Sequence, residues 1–126
     1  MKKQIIHTNA APAAIGPYSQ AVRVGDTVYL SGQTPLDPST MELVSGGIDA
    51  QAQQVFENLS AIAKAAESEL AHAVKLTIYL TDLDNFQSVN KVMRNYFEEP
   101  YPARVTVGVA SLPKAAAVEI DAILVV

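Results

Sequence analysis

The stretch that decides how the rest of the chain is read is Pro100-Tyr101-Pro102-Ala103-Arg104-Val105-Thr106-Val107-Gly108-Val109. It begins as an extended, proline-containing turn, because Pro102 pushes Tyr101 out of the helical region. It continues as a strand with Val105, Val107 and Val109 on one face and Arg104, Thr106 and Gly108 on the other. The valine face is expected to be core. The other face carries a permanent cation, a hydroxyl and a gap. A guanidinium at the mouth of an apolar strand is a rigid fork that matches a carboxylate or phosphate. The plainer alternative is an arginine that snorkels or pairs with a nearby acid.

Working outward, Leu83, Phe86, Val89, Met93, Tyr96 and Phe97 recur at helical spacing before this strand. Thr81 or Asp82 caps that helix, and Glu98-Glu99-Pro100 ends it. Upstream, Val74–Leu80 alternates as a strand. Before it, Ala52, Val55, Phe56, Leu59, Ile62, Ala63 and Ala66 predict a helix from Asp49, its expected N-cap, to about Ser68. Lys3–Ile6 reads as a short strand. Gln20–Val24 and Thr27–Ser31 read as a hairpin across Gly25-Asp26. Asn9–Gly16 and Gln33–Gly47 are loops. Downstream, Ser111-Leu112-Pro113-Lys114 turns the chain into a last strand, Ala117–Val125. The order β-β-β-α-β-α-β-β predicts one α+β domain over residues 1–126, a mixed six-stranded sheet with two helices on one face. Two helices cannot cover both faces, so the other face must meet solvent or another subunit.

The 126 residues are the size of one domain, and 49% are apolar. Thirteen acids against nine bases leave a net charge of −4. Without a basic stripe, neither nucleic acid nor an anionic membrane is expected as the main partner. There is no cysteine, so no disulfide, thiol nucleophile or thiolate metal site exists. That suits a reducing cytosol. No apolar run reaches the roughly 18 residues of a membrane span, and the first 25 residues hold no continuous h-region. A soluble, cytoplasmic protein is expected.

His7 and His72 are far apart and share no ligand spacing with carboxylates, so no metal site is expected. Gly46-Gly47 is better read as turn residues than as a phosphate loop, and no GxSxG elbow supports a serine hydrolase. The last strand is more informative. Val118, Ile120, Ala122 and Leu124 face one way, Glu119 and Asp121 the other. A hairpin through Ser111–Ala116 would lay Glu119 beside Arg104 and Thr106, in a shared pocket or as a cross-strand ion pair. Ser31-Gly32-Gln33 either allows close approach of a ligand or is a strand exit. Asn90 is either solvent-facing or a donor into a cleft. Tyr18 follows a rigid Gly16-Pro17 turn.

Taken together, Ile15-Gly16-Pro17-Tyr18-Ser19-Gln20-Ala21, Ser31-Gly32-Gln33-Thr34-Pro35, Ala50-Gln51 with Asn58-Leu59, Val89-Asn90, Pro102-Ala103-Arg104 and Leu112-Pro113-Lys114 with Val118-Glu119-Ile120 resemble the Rid (YjgF) family of reactive intermediate deaminases. The resemblance runs in order over nearly the whole chain. It implies a chorismate-mutase-like fold assembled as a homotrimer, with the sheets lining a central barrel, the helices outside and three clefts between subunits. It also implies hydrolysis of 2-imino or enamine acids, such as 2-iminobutanoate and 2-iminopropanoate, to 2-keto acids and ammonia, without a cofactor. Such compounds are released by pyridoxal-phosphate enzymes. By the same resemblance, Arg104 binds the substrate carboxylate and Glu119 holds or activates water. Tyr18, Ser31, Gly32 and Asn90 line the cleft. Thr106 stands where many deaminase members carry cysteine.

The Glu98–Pro102 loop looks shorter than in the archetypal deaminases, which bears on substrate preference. Fold alone does not settle function. The alternatives are a non-catalytic regulator that binds small carboxylates in the same cleft, and a translation inhibitor or ribonuclease of the kind assigned to some relatives. The acidic pI of about 5.0 weighs against RNA.

Overall fold

The computed structural model describes residues 2–126. Eight principal elements follow the expected order: β1 (Lys3–Ile6), β2 (Ala21–Val24), β3 (Thr27–Gln33), α1 (Ile48–Ala65), β4 (Ala73–Leu80), α2 (Phe86–Met93), β5 (Ala103–Gly108) and β6 (Val118–Val125). They form one six-stranded sheet in the order β1-β2-β3-β6-β4-β5, with β4–β5 the parallel pair. The β2–β3 hairpin pairs Val24 with Thr27 across a turn where Gly25 takes φ +60°, a conformation that costs glycine little.

The helix boundaries differ from expectation. Gly47, not Asp49, occupies the α1 N-cap, and no side chain caps it. Asp49 sits in the first turn, where its charge suits the helix dipole. The helix stops at Ala65, because Glu67 turns left-handed and the Ser68 N–H returns to the Ala63 carbonyl at 2.9 Å. The second helical region is split. Asp82 caps a short 3₁₀ turn, Leu83–Asn85, and α2 begins at Phe86. Leu83, expected in the buried stripe, is exposed.

The core lies between α1, α2 and one sheet face. Val28, Leu30, Leu76, Ile78, Leu80, Val118, Ile120, Ala122 and Leu124 meet Val55, Phe56, Leu59, Ile62, Val89 and Met93. Phe56 anchors the junction of the helical regions, stacked on Tyr96 at 5.1 Å and edge-on to Phe97 at 5.9 Å. Buried amides tie loops to this core. The Asn58 amide donates to the carbonyls of Thr34 and Leu36, and Gln51 Oε1 accepts from the Ala117 N–H at 2.8 Å.

The valine face of β5 is not core. In the parallel register Leu76 pairs with Arg104, Ile78 with Thr106 and Leu80 with Gly108. Leu76, Ile78 and Leu80 are buried beneath the helices, so Arg104, Thr106 and Gly108 share the helix-covered face. Val105 and Val107 turn to the uncovered face and stay 42% and 37% exposed. Tyr29 and Ile5 are exposed on that same face.

Candidate functional site

Arg104 stands on an edge strand with α2 beside it. Its Nη1 donates to Asn90 Oδ1 and lies 3.8 Å from the Met93 sulfur. Its guanidinium carbon is 5.0 Å from the centroid of the Phe86 ring, a cation–π arrangement. All three contacts come from α2, at i, i+4 and i+7 from Phe86, so one helix face makes the seat. Asn90 is thus a cleft residue and touches Arg104. Phe86 and Met93 read from sequence as plain core stripe; their contact with the guanidinium had no signal there. Among the described residues, Arg104 has no carboxylate partner within ion-pair distance. A cleft of about 400 Å³ opens here, lined by Asn90, Met93, Arg94, Tyr101, Pro102 and Arg104.

Thr106 is next along the same face. Its Oγ1 is buried and finds no hydrogen-bond partner among the described residues. A buried hydroxyl left so costs about 1–3 kcal/mol.

Glu119 lies elsewhere. β4 runs between β5 and β6, so no hairpin joins the Arg104 and Glu119 strands. The physical reason is that β6 alternates cleanly over its whole length and pairs antiparallel with both β3 and β4, which leaves β5 only the outer edge of β4. Glu119 pairs with Tyr79, and in that register faces the uncovered side of the sheet, opposite to Arg104. Within one chain there is neither an Arg104–Glu119 ion pair nor a shared pocket. Burial pushes the Glu119 carboxyl above its ordinary range, and the charge of Asp121 pushes it the same way. Asp121 in turn accepts from the Tyr79 hydroxyl at 3.0 Å.

Glu119 borders a second cleft, of about 560 Å³, with Tyr18, Gly32, Gln33, Pro113 and Lys114 among its lining residues. Gly32 has a specific part in it. A Cβ added there would lie 3.0 Å from Glu119 Cδ and 3.3 Å from Cγ, so the carboxylate occupies the space a side chain would fill. Tyr18 is 52% exposed at the rim, after Gly16 with φ +123°. Ser31 lines neither cleft; its hydroxyl donates to the Ser19 carbonyl at 2.6 Å and pins the Tyr18 loop to β3. Lys114 and Ala115 both take left-handed backbone, φ +62° and +58°, at the other rim. Two successive non-glycine residues in that region are not readable from sequence.

No group of three or more His, Cys, Asp or Glu side chains suited to a metal ion occurs among the described residues. His7 is exposed, and His72 is an exposed residue of a 3₁₀ turn beside Ser68 and Glu69. No helix among the described residues is long and apolar enough to cross a membrane.

The chain is similar to known proteins over its whole length. Residues 8–126 match the family described as Endoribonuclease L-PSP. Protein DfrA of Myxococcus xanthus is 53% identical, with 99% of this chain and 97% of that protein covered. The 2-iminobutanoate/2-iminopropanoate deaminase of Dermatophagoides farinae is 49% identical, with 98% and 97% covered. The crystal structure of RidA from an Antarctic Psychrobacter is 54% identical, superposes with a TM-score of 0.94 and covers 98% of this chain and 99% of that one. With the GPYxQ, SGQ, PAR and LPK motifs lining or bracing the two clefts, and with these likenesses end to end, the chain belongs to the Rid (YjgF, Endoribonuclease L-PSP) family.

Proposed function

We propose that this protein is a hydrolytic deaminase of small 2-imino or enamine acids, releasing the 2-keto acid and ammonia. The observation that carries the reading is the state of Arg104. Its guanidinium is seated by neutral groups alone, an amide oxygen, a thioether and an aromatic face. The fork is therefore oriented yet not neutralised by an acid of its own chain. That is the condition for two-point binding of a substrate carboxylate.

The chemistry then needs little more than a placed water. Water oxygen adds to the C=N carbon as a base takes its proton. The nitrogen gains that proton to give a carbinolamine. The hydroxyl proton then passes to nitrogen, the C–N bond breaks to release ammonia, and the hydroxyl oxygen remains as the carbonyl of the keto acid. Glu119, whose raised proton affinity brings it nearer the working pH, is the base that accepts the first proton and returns one to nitrogen. Holding the carboxylate on Arg104 makes that addition effectively unimolecular.

One chain supplies the two clefts separately, so the active unit is an assembly. We propose a homotrimer whose uncovered sheet faces line its interior. The Arg104 cleft of one subunit then lies against the Tyr18–Gly32–Glu119 cleft of the next. The exposed Tyr29, Ile5, Val105 and Val107 of the uncovered face support such burial. Arg104 and Glu119 would be the catalytic pair, with Tyr18, Gly32, Asn90 and Thr106 around the substrate and Ser31 bracing the rim. No cofactor takes part, and the setting is the cytoplasm.

A second reading, a regulator that binds small carboxylates without turnover, is favoured by one feature: no acid or base of the same chain lines the Arg104 cleft beyond Arg94 and Tyr101. Threonine dehydratase supplied with threonine generates 2-iminobutanoate, and semicarbazide traps it. Added protein should divert the imine to 2-ketobutanoate over many turnovers. Binding of 2-ketobutanoate with no more than one imine consumed per site would establish the regulator and end the enzyme reading.

A further inference from the structure

We propose that the Arg104 cleft takes acids with two anionic groups, a 2-imino or 2-keto dicarboxylate, with the first carboxylate on Arg104 and the distal one on Arg94. This rests on the reading of Arg104 as the carboxylate site. Asn90, Met93 and Arg94 stand at i, i+3 and i+4, on one side of the end of α2. Asn90 and Met93 touch the Arg104 guanidinium. The helical turn carries on to Arg94, whose N–H bonds the Asn90 carbonyl at 3.1 Å. Arg94 therefore reaches the cleft one turn beyond the residue that holds Arg104, and it lines the same cavity.

The charge pattern is the second observation. Among the described residues, neither guanidinium has an acid within ion-pair distance. The six residues that line the cleft include two cations and no carboxylate. In a chain of net charge −4, this is a local positive field with nothing of its own chain to cancel it. Glu98 and Glu99 border an adjoining hollow that Arg94 also touches, but neither pairs with it. A monocarboxylate on Arg104 leaves Arg94 unused; a dicarboxylate engages both cations of the cleft. A cavity of about 400 Å³ admits such an acid.

The test compares ligands of matched length by calorimetry on the protein in its native assembly. The probes are 2-oxoglutarate, with a distal carboxylate, and 2-ketohexanoate, with an apolar end. The wild type should bind 2-oxoglutarate roughly tenfold tighter, the lower end of what a charge-assisted hydrogen bond contributes. In Arg94→Gln that preference should vanish while affinity for 2-ketohexanoate stays within about twofold, since an exposed helix-end substitution perturbs little else. Arg104→Ala should abolish binding of both. Equal affinities in the wild type, or a preference that survives Arg94→Gln, would overturn the dicarboxylate assignment and leave the Arg104 reading intact. Failure of the folded wild type to bind either acid would overturn both.

Discussion

The Arg104 cleft and the Glu119 cleft are built on opposite principles. The first is cationic, sits on the helix-covered face of an edge strand, and seats its key group on α2 through neutral contacts. The second is on the uncovered face of a central strand, where a missing side chain at Gly32 admits a carboxylate and burial raises its proton affinity. In the proposed mechanism the first supplies a charge for an anion and the second a group that moves a proton. The strand order and the opposite facing of the two residues keep the clefts apart within one chain.

The sharpest way to break this division is complementation. Arg104→Ala and Glu119→Gln should each be nearly inactive: the first through a much higher KM with lower kcat, the second through a kcat loss on the order of 10²-fold with KM nearly unchanged. Arg104→Lys should rescue little, because an ammonium lacks the fork. If the clefts face each other between subunits, mixing the two variants under conditions of subunit exchange should restore roughly a quarter of the wild-type sites by random assortment. Light scattering should show about three chains per particle. No recovery after demonstrated exchange would place both residues in one chain's site or in none.

A smaller effect probes the Glu119 cleft alone. The Gly32 backbone lies outside the left-handed region, so Gly32→Ala is tolerated by the chain and acts on its neighbour. The Glu119 carboxylate must move aside, and kcat should fall by roughly tenfold, with KM for the acid and the melting temperature little changed. A variant that loses KM instead would assign Gly32 to substrate contact.

Thr106→Val separates the Arg104 side from covalent chemistry. It replaces an unpartnered buried hydroxyl with a methyl of similar shape, so most activity should persist, with stability equal or higher by about 1 kcal/mol. A covalent adduct on Thr106 by mass spectrometry would refute the water mechanism.

The smallest effect is a stability–pH signature at Glu119. Its folded carboxyl titrates above the unfolded one, so the folded state binds more protons between the two values, and this group's contribution to stability falls as pH rises through that window. Glu119→Gln removes that penalty. Its melting temperature should exceed wild type near neutral pH, and the gap should close as pH drops below the ordinary carboxylate range. A gap independent of pH would mean that desolvation of Glu119 does not govern its titration.

Residue pattern by itself determined a good deal here. The order of elements, the hairpin at Gly25-Asp26, the apolar faces of α1 and β6 and the family motifs are local properties, set by periodicity, turn chemistry and short spacing. So were the prominence of Arg104 and Glu119 and the chain's lack of any thiol. What only the tertiary structure decided was which face is which and who neighbours whom. Val105 and Val107 alternate like core residues, yet the register that pairs Arg104 with Leu76 turns them outward. Sequence adjacency suggested that β5 and β6 pair, yet β6 docks on the far side of β4. Strand alternation assigns residues to two faces without saying which will be covered. That choice, and the strand order that parts Arg104 from Glu119, comes from long-range pairing and from where the helices pack.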